Sequence, residues 1–78
     1  MARFIATKVY FENKILCVVL ADGRKVRVPL KFYPRLKNAT HPQQKNYQLI
    51  GYGAGVHWPD IDEDLSVEGI VLGIPSRF

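Results

Sequence analysis

The chain has 78 residues and a formal net charge of +4, and 47% of its residues are hydrophobic. This composition is typical of a folded globule and excludes a disordered chain, and the length allows one small domain with one core. The longest apolar run is far shorter than the roughly 20 residues of a membrane helix, and no signal peptide is recognisable. We therefore expect a cytoplasmic protein that has no membrane partner. The single cysteine, Cys17, lies in an apolar run, which predicts a small buried side chain rather than a reactive thiol.

The charge is distributed unevenly along the chain. Residues 1–45 hold ten Lys and Arg residues against two acidic residues, a net charge of +8. Residues 46–78 hold Arg77 against five acidic residues, a net charge of −4. Such polarity steers charged partners and leaves head-to-tail self-association open, but it does not determine the fold.

The first thirty residues predict three strands. The segment FIATKVYF (4–11) is rich in β-branched and aromatic residues, as strands are. The segment ILCVVL (15–20) is apolar throughout, so we expect a central strand that is covered on both faces. Asp22-Gly23 predicts a two-residue hairpin turn. In KVRVPL (25–30) the valines and leucine alternate with cations, and Pro29 indicates an edge strand or its end.

Two short helices are predicted in the middle of the chain. Pro34 suits the first turn of a helix over YPRLKNA (33–39). Thr40 is placed to cap a second helix, HPQQKN (41–46), and Gln43 follows three residues later to complete a capping box.

A second β region and a final helix follow. We predict strands over YQLIG (47–51) and VHW (56–58), joined by a glycine-rich turn, and a helix over SVEGIVLG (66–73) with Ser66 as its N-cap. The expected order is β-β-β-α-α-β-β-α in one domain spanning residues 1–78. It corresponds to an α+β fold, in which short helices pack on one side of a curled antiparallel sheet. That sheet would contain a three-stranded N-terminal meander and one or two later strands.

The segment HWPDIDEDLS (57–66) is the most unusual composition in the chain. A calcium loop beginning at Asp60 would need glycine and glutamate where Leu65 and Val71 stand. One histidine is too few for a zinc site, and the carboxylates are too close together for a pair across a cleft. The sequence therefore predicts no catalytic residue, no metal ligand and no cofactor.

A structural role accounts for most of this segment. Trp58 is expected to anchor the core, with its indole N–H bonded to a partner. Pro59 would end the strand, and the acidic turn after it would favour the positive end of the last helix. Ile61 and Leu65, one helical turn apart, are expected to pack inward from a single turn.

Seven motifs also occur in a characteristic order over residues 15–73. They are Asp22-Gly23-Arg24, Val28-Pro29-Leu30, Tyr33-Pro34-Arg35-Leu36, Asn38-Ala39-Thr40, Gln44-Lys45-Asn46-Tyr47, Gly51 through Pro59, and Asp62 through Ile70. This order resembles the small prokaryotic family called domain of unknown function 2442. That family has no assigned reaction or cofactor. Its members are often encoded beside another small protein in arrangements that look like toxin–antitoxin pairs, and some are fused to a helix-turn-helix domain. The resemblance implies a binding or regulatory module rather than an enzyme.

Three hypotheses about function follow. The first is a protein-interaction module, the antitoxin-like member of a two-protein pair, with another small protein as its partner. Its candidate partner-binding residues are His57, Trp58, Asp60, Asp62, Glu63 and Asp64. The alternative is nucleic-acid binding through a basic strand and helix with interleaved aromatics, as single-strand binders have. Its candidate residues are Arg24, Lys25, Arg27, Lys31 and Arg35. A second alternative is a small-ligand site at the glycine turn near His57.

Overall fold

Two antiparallel three-stranded sheets and three short α-helices form an α+β fold in the computed structural model, which describes residues 4–75. The first sheet contains β1 (Ala6–Glu12), β2 (Ile15–Leu20) and β3 (Lys25–Pro29) in the order β1-β2-β3. The helices α1 (Pro34–Lys37) and α2 (His41–Lys45) follow. The second sheet contains β4 (Gln48–Ile50), β5 (Gly55–Trp58) and β6 (Glu63–Ser66) in the order β4-β5-β6, and α3 (Val67–Val71) is the last helix. The predicted α+β class is confirmed.

Strand β2 is the centre of the first sheet, as predicted. Leu16, Cys17 and Val18 have no solvent exposure, so both faces of the strand are covered. Asn13 and Lys14 connect β1 to β2 with φ values of 48° and 64°. Two successive residues with positive φ form the type I′ turn that matches the twist of a hairpin.

The thiol of Cys17 lies on the outer face of the first sheet and is nevertheless buried. Its cross-strand neighbours are Tyr10 on β1 and Arg27 on β3. Nη1 of Arg27 donates to Oε1 of Glu12 at 3.1 Å, and this ion pair crosses β2 from one edge strand to the other. The predicted buried cysteine is confirmed.

The connection between β2 and β3 is longer than predicted. Leu20 N donates to Arg24 O at 2.8 Å, so three residues rather than two form the loop. Gly23, with φ of 94°, takes the left-handed position that ends such a loop. Asp22 stabilises it because its Oδ1 accepts from the main-chain N–H of Arg24 at 3.0 Å.

Helix α2 begins with the predicted capping box. Oγ1 of Thr40 accepts from Gln43 N, and Oε1 of Gln43 accepts from Thr40 N at 2.9 Å. The side chain of buried Gln44 donates to Leu36 O at 2.8 Å, which joins α2 to α1. Helix α1 is shorter than the predicted segment, and a 3₁₀ turn at Leu30–Phe32, which the sequence did not indicate, precedes it.

Strand β6 was not predicted. Residues 63–66 pair with β5, so the inward contacts of Ile61 and Leu65 do not come from one helical turn. The apolar–polar alternation expected of a strand is interrupted here, because the charged residue Glu63 occupies a core-facing position. The final helix is confirmed, with Oγ of Ser66 accepting from Gly69 N at 2.9 Å.

The two sheets share one core, in which Trp58 is fully buried as predicted. The rings of Phe11 on β1 and Trp58 on β5 meet edge to face, with centroids 6.4 Å apart. The glycine turn also contacts the first sheet: a Cβ on Gly53 would lie 2.6 Å from the carbonyl oxygen of Ala6. Within residues 4–75, no helix is both long and apolar enough to cross a membrane.

Candidate functional site

His57 and Asp64 face each other on the outer face of the second sheet. Val67 N donates to Ala54 O at 2.8 Å, so these two residues form a hydrogen-bonded pair at the end of the β5–β6 ladder. Hydrogen-bonded and non-hydrogen-bonded pairs alternate along antiparallel strands, and this alternation makes His57 and Asp64 a non-hydrogen-bonded pair. Side chains of such pairs approach most closely, and Nδ1 of His57 donates a hydrogen bond to Oδ1 of Asp64. The side chains are 28% and 67% exposed respectively, so the pair is accessible to a partner.

The acidic turn between β5 and β6 is held by the two preceding helices. Nδ2 of Asn46, which follows α2, donates to Oδ2 of Asp60 at 2.9 Å. Nη1 of Arg35 on α1 donates to the main-chain carbonyl of Asp62 at 2.7 Å, where the backbone has a φ of 51°. Asp60 and Asp62 are exposed, so the turn presents carboxylates from a backbone that is fixed in place.

Two of the six candidate partner-binding residues are buried. Trp58 has no exposure, and its indole N–H donates to Gln44 O at 3.0 Å. Glu63 is 4% exposed, because its side chain points into the core from the same face as Trp58. These two positions are corrected to core residues, and His57, Asp60, Asp62 and Asp64 remain at the surface.

The carboxyl group of Glu63 is buried, and among the residues that the structure describes one of its oxygens lacks a hydrogen-bond partner. Among residues 4–75, its Oε2 has no hydrogen-bond partner, and neither does the buried hydroxyl of Tyr33. Burial raises the pKa of Glu63, and the nearby charge of Arg35 partly opposes that effect. Burial also raises the pKa of Tyr33. Glu63 therefore affects stability rather than contact with a partner.

Exposed apolar side chains occur on β4 and in the turn after it, and sequence reasoning missed them. Ile50 is 43% exposed and Tyr52 is fully exposed, and Leu49 on the same edge strand is 37% exposed. Ile50 borders a shallow groove of about 360 Å³ over Gly55 that extends to Asp64. The segment YQLIGYG indicated such exposure, because its apolar residues do not alternate with polar ones and therefore cannot all face the core.

The basic candidate residues are mostly engaged within the chain. Nε of Arg24 contacts Oδ2 of Asp22 at 2.7 Å, and Arg27 pairs with Glu12. The main-chain N–H of Arg24 lowers the pKa of Asp22, as does the Arg24 side chain to a smaller extent. Arg35 holds the acidic turn on another part of the surface. Lys25 and Lys31 are exposed.

The glycine turn is packed against the first sheet at Gly53. Gly53 is buried, and its neighbour Tyr52 also has positive φ, at 56°. The hydroxyl of Ser66, on the same outer face as His57, is used as the N-cap of α3. No three His, Cys, Asp or Glu side chains in the described part of the chain are grouped to hold a metal ion.

The comparison with known proteins is consistent with this architecture. A family model described as a protein of unknown function (DUF2442) matches residues 6–76. The chain belongs to this family. A search of curated proteins found no match.

Two solved structures resemble this DUF2442 chain. The crystal structure of a protein of unknown function from Rhodospirillum rubrum is 28% identical, with a TM-score of 0.81. The match covers 95% of this chain and 92% of that one. The solution structure of an uncharacterised protein from Chromobacterium violaceum is 20% identical, with a TM-score of 0.77, and the match covers 92% of this chain and 68% of that one. The second likeness concerns the fold alone.

Proposed function

We propose that this DUF2442 chain is a non-enzymatic protein-interaction module that binds a basic partner protein through the outer face of its second sheet. We call the docking surface a group of six surface residues on that face and in the turns at its two ends. They are Ile50, Tyr52, His57, Asp60, Asp62 and Asp64.

The observation that supports the proposal is that exposed apolar and acidic side chains occur on the outer face of the second sheet and in the turns at its two ends. Exposed large aliphatic and aromatic side chains grouped together are typical of interaction sites, because folding alone would bury them. Asp60, Asp62 and Asp64 add a negative charge that would attract and orient a basic partner. Hydrogen bonds from Asn46 and Arg35 hold the acidic turn, so little ordering would be required on binding.

The antitoxin-like role is the finer form of this proposal. It rests on the family resemblance and on the small size of the domain. It implies that the partner is another small protein and that co-expression with this chain would suppress the partner's toxicity. Nucleic-acid binding is less favoured, because Arg24 and Arg27 are already paired with carboxylates of the same chain.

The test begins with affinity purification of the tagged chain from native lysate in the presence of nuclease, followed by mass spectrometry. The recovered protein is then bound to a variant carrying Asp60→Asn, Asp62→Asn and Asp64→Asn. Asparagine keeps the size of each side chain and tolerates the positive φ at position 62. We expect this variant to bind at least about tenfold more weakly.

A control variant carries Glu12→Gln and Glu68→Gln, which removes exposed acids away from the docking surface. It should bind within about twofold of the unchanged protein. Equal binding by the triple-asparagine variant would refute the docking surface. Retention that disappears with nuclease would instead support the nucleic-acid alternative.

A further inference from the structure

A basic groove lies beside the free edge of β1, and none of its lining residues belongs to the docking surface. Among residues 4–75, strand β1 pairs with β2 and with no other strand, so no described strand covers its other edge. Two adjoining recesses of about 170 and 340 Å³ follow this edge and share Phe11, His41 and Gln44 as lining residues. Together they form a groove between β1 on one side and the α1–α2 segment on the other.

The register of the hairpin turns main-chain groups of Phe11 toward this groove. Glu12 and Ile15 flank the type I′ turn, so they are the hydrogen-bonded pair next to it. Alternation along the ladder then directs the N–H groups of Val9 and Phe11 away from β2. The first of these is already satisfied, because Val9 N donates to the hydroxyl of Tyr47 at 3.1 Å. Phe11 presents the next N–H and C=O on the open edge.

The rim of the groove is positively charged. Lys14, Lys37 and Lys45 line it and are exposed. The acid in the lining, Glu12, is paired with Arg27. The groove therefore complements a negative chain.

The wall opposite β1 is fixed before any partner binds. The side chain of Gln44 donates to Leu36 O, and its main-chain carbonyl accepts the indole N–H of Trp58. The capping box fixes the first turn of α2 as well. Binding would therefore not require this wall to become ordered, which lowers the entropic cost.

We propose that this groove binds an extended acidic segment of a partner protein, which pairs as an added strand with the free edge of β1 at Phe11. Main-chain hydrogen bonds would supply affinity, as in other cases of strand addition to an exposed sheet edge. The basic rim would select acidic side chains. This site is separate from the docking surface, so either proposal can fail without the other.

The probe is a labelled peptide chosen from a random library of about ten-residue peptides by selection on the full chain. We expect the enriched peptides to be acidic and to shift the amide resonance of Phe11 in a nitrogen–proton correlation spectrum. A variant with Lys37→Glu and Lys45→Glu should bind the chosen peptide at least about tenfold more weakly. The matched control, Lys25→Glu with Lys31→Glu, reverses two charges outside the groove and should change binding by less than about twofold.

Strand addition is tested by methylating alternate main-chain nitrogens of the same peptide. One of the two methylation registers should abolish binding, because it removes the N–H groups that face β1, and the other should not. Enrichment of neutral or basic peptides, no enrichment, or equal binding by the Lys37→Glu/Lys45→Glu variant would overturn the proposal. Self-association of the chain that is lost in the same variant would also overturn it, since the occupant would then be a second copy.

Discussion

The indole N–H of Trp58 and the main-chain carbonyl of Gln44 form a hydrogen bond of 3.0 Å that joins β5 to α2. Both groups are buried, so neither has water as a substitute partner. The side chain of Gln44 donates to Leu36 O, so this one residue connects the second sheet to both helices that precede it. Loss of the indole would therefore affect the whole middle of the chain.

Trp58→Phe should lower the free energy of unfolding by about 3 kcal/mol, because it leaves a cavity and an unsatisfied buried carbonyl. Urea denaturation followed by circular dichroism measures the change without the tryptophan signal. The control is Tyr52→Phe at a fully exposed aromatic position, where we expect a change within about 0.5 kcal/mol. Similar losses in both variants would contradict the importance of the buried indole.

Removal of the helix cap should have a smaller and more specific effect. Thr40→Ala loses the acceptor for Gln43 N and should destabilise the protein by about 1 kcal/mol. Thr40→Ser keeps the hydroxyl, so its unfolding midpoint in urea should stay close to that of the unchanged protein. If both variants lose the same stability, the methyl group rather than the cap is responsible.

Gly53 and Gly23 provide a matched pair that separates close packing from backbone conformation. Both have φ of 94°, but a Cβ on Gly53 would lie 2.6 Å from Ala6 O, whereas one on Gly23 would have no heavy atom within 4 Å. Gly23→Ala should cost about 1 kcal/mol through backbone strain alone. Gly53→Ala should cost at least about 2 kcal/mol more, because the glycine turn must also separate from β1. Thermal denaturation of the two variants compares them, and equal costs would refute the close contact.

Glu63 should make the protein less stable as the pH rises above the ordinary value for a glutamate, 4.5. Its folded pKa is raised by burial, so between the unfolded and folded values the folded state binds more protons than the unfolded state. Deprotonation therefore opposes folding, and the loss is complete above the folded pKa. Glu63→Gln removes this charge and should be more stable than the unchanged protein by about 1 kcal/mol at pH 7.

The measurement is urea denaturation of both proteins at several pH values from 4 to 7. The stability advantage of Glu63→Gln should grow as the pH rises above 4.5 and reach its full size above the folded pKa. Asp60→Asn, at an exposed acid of the neighbouring turn, is the control and should show no such growth. An advantage that is constant or falls with pH would contradict the raised pKa.

Local signals predicted much of the fold because the residues involved act within a few positions of one another. Thr40 and Gln43 form a cap that needs no distant partner, and the alternation of Val26 and Val28 with cations identifies β3 directly. Strand β6 was missed because its identity depends on pairing with β5, while Glu63 reverses the polarity expected of a core position. The Asp22-Gly23 loop is one residue longer than predicted because Leu20 pairs with Arg24. This register depends on how β2 and β3 pair along their length.

The site was less predictable than the fold for a similar reason. The sequence placed Trp58 and Glu63 with their acidic neighbours, but strand alternation directs those two inward and leaves His57 and Asp64 outside. The ion pairs of Arg24 with Asp22 and of Arg27 with Glu12 place a carboxylate beside two of the cations that cluster in the sequence. The basic groove is made by Lys14, Lys37 and Lys45, which no local motif brings together.

The buried thiol of Cys17 is a natural probe for opening of the first sheet. A thiol-specific reagent can reach this sulfur only when the groups that bury it separate. The rate of labelling under native conditions would therefore measure how often the central strand is exposed, without any introduced probe. The reaction would follow the breathing of the sheet in a protein that contains a single cysteine.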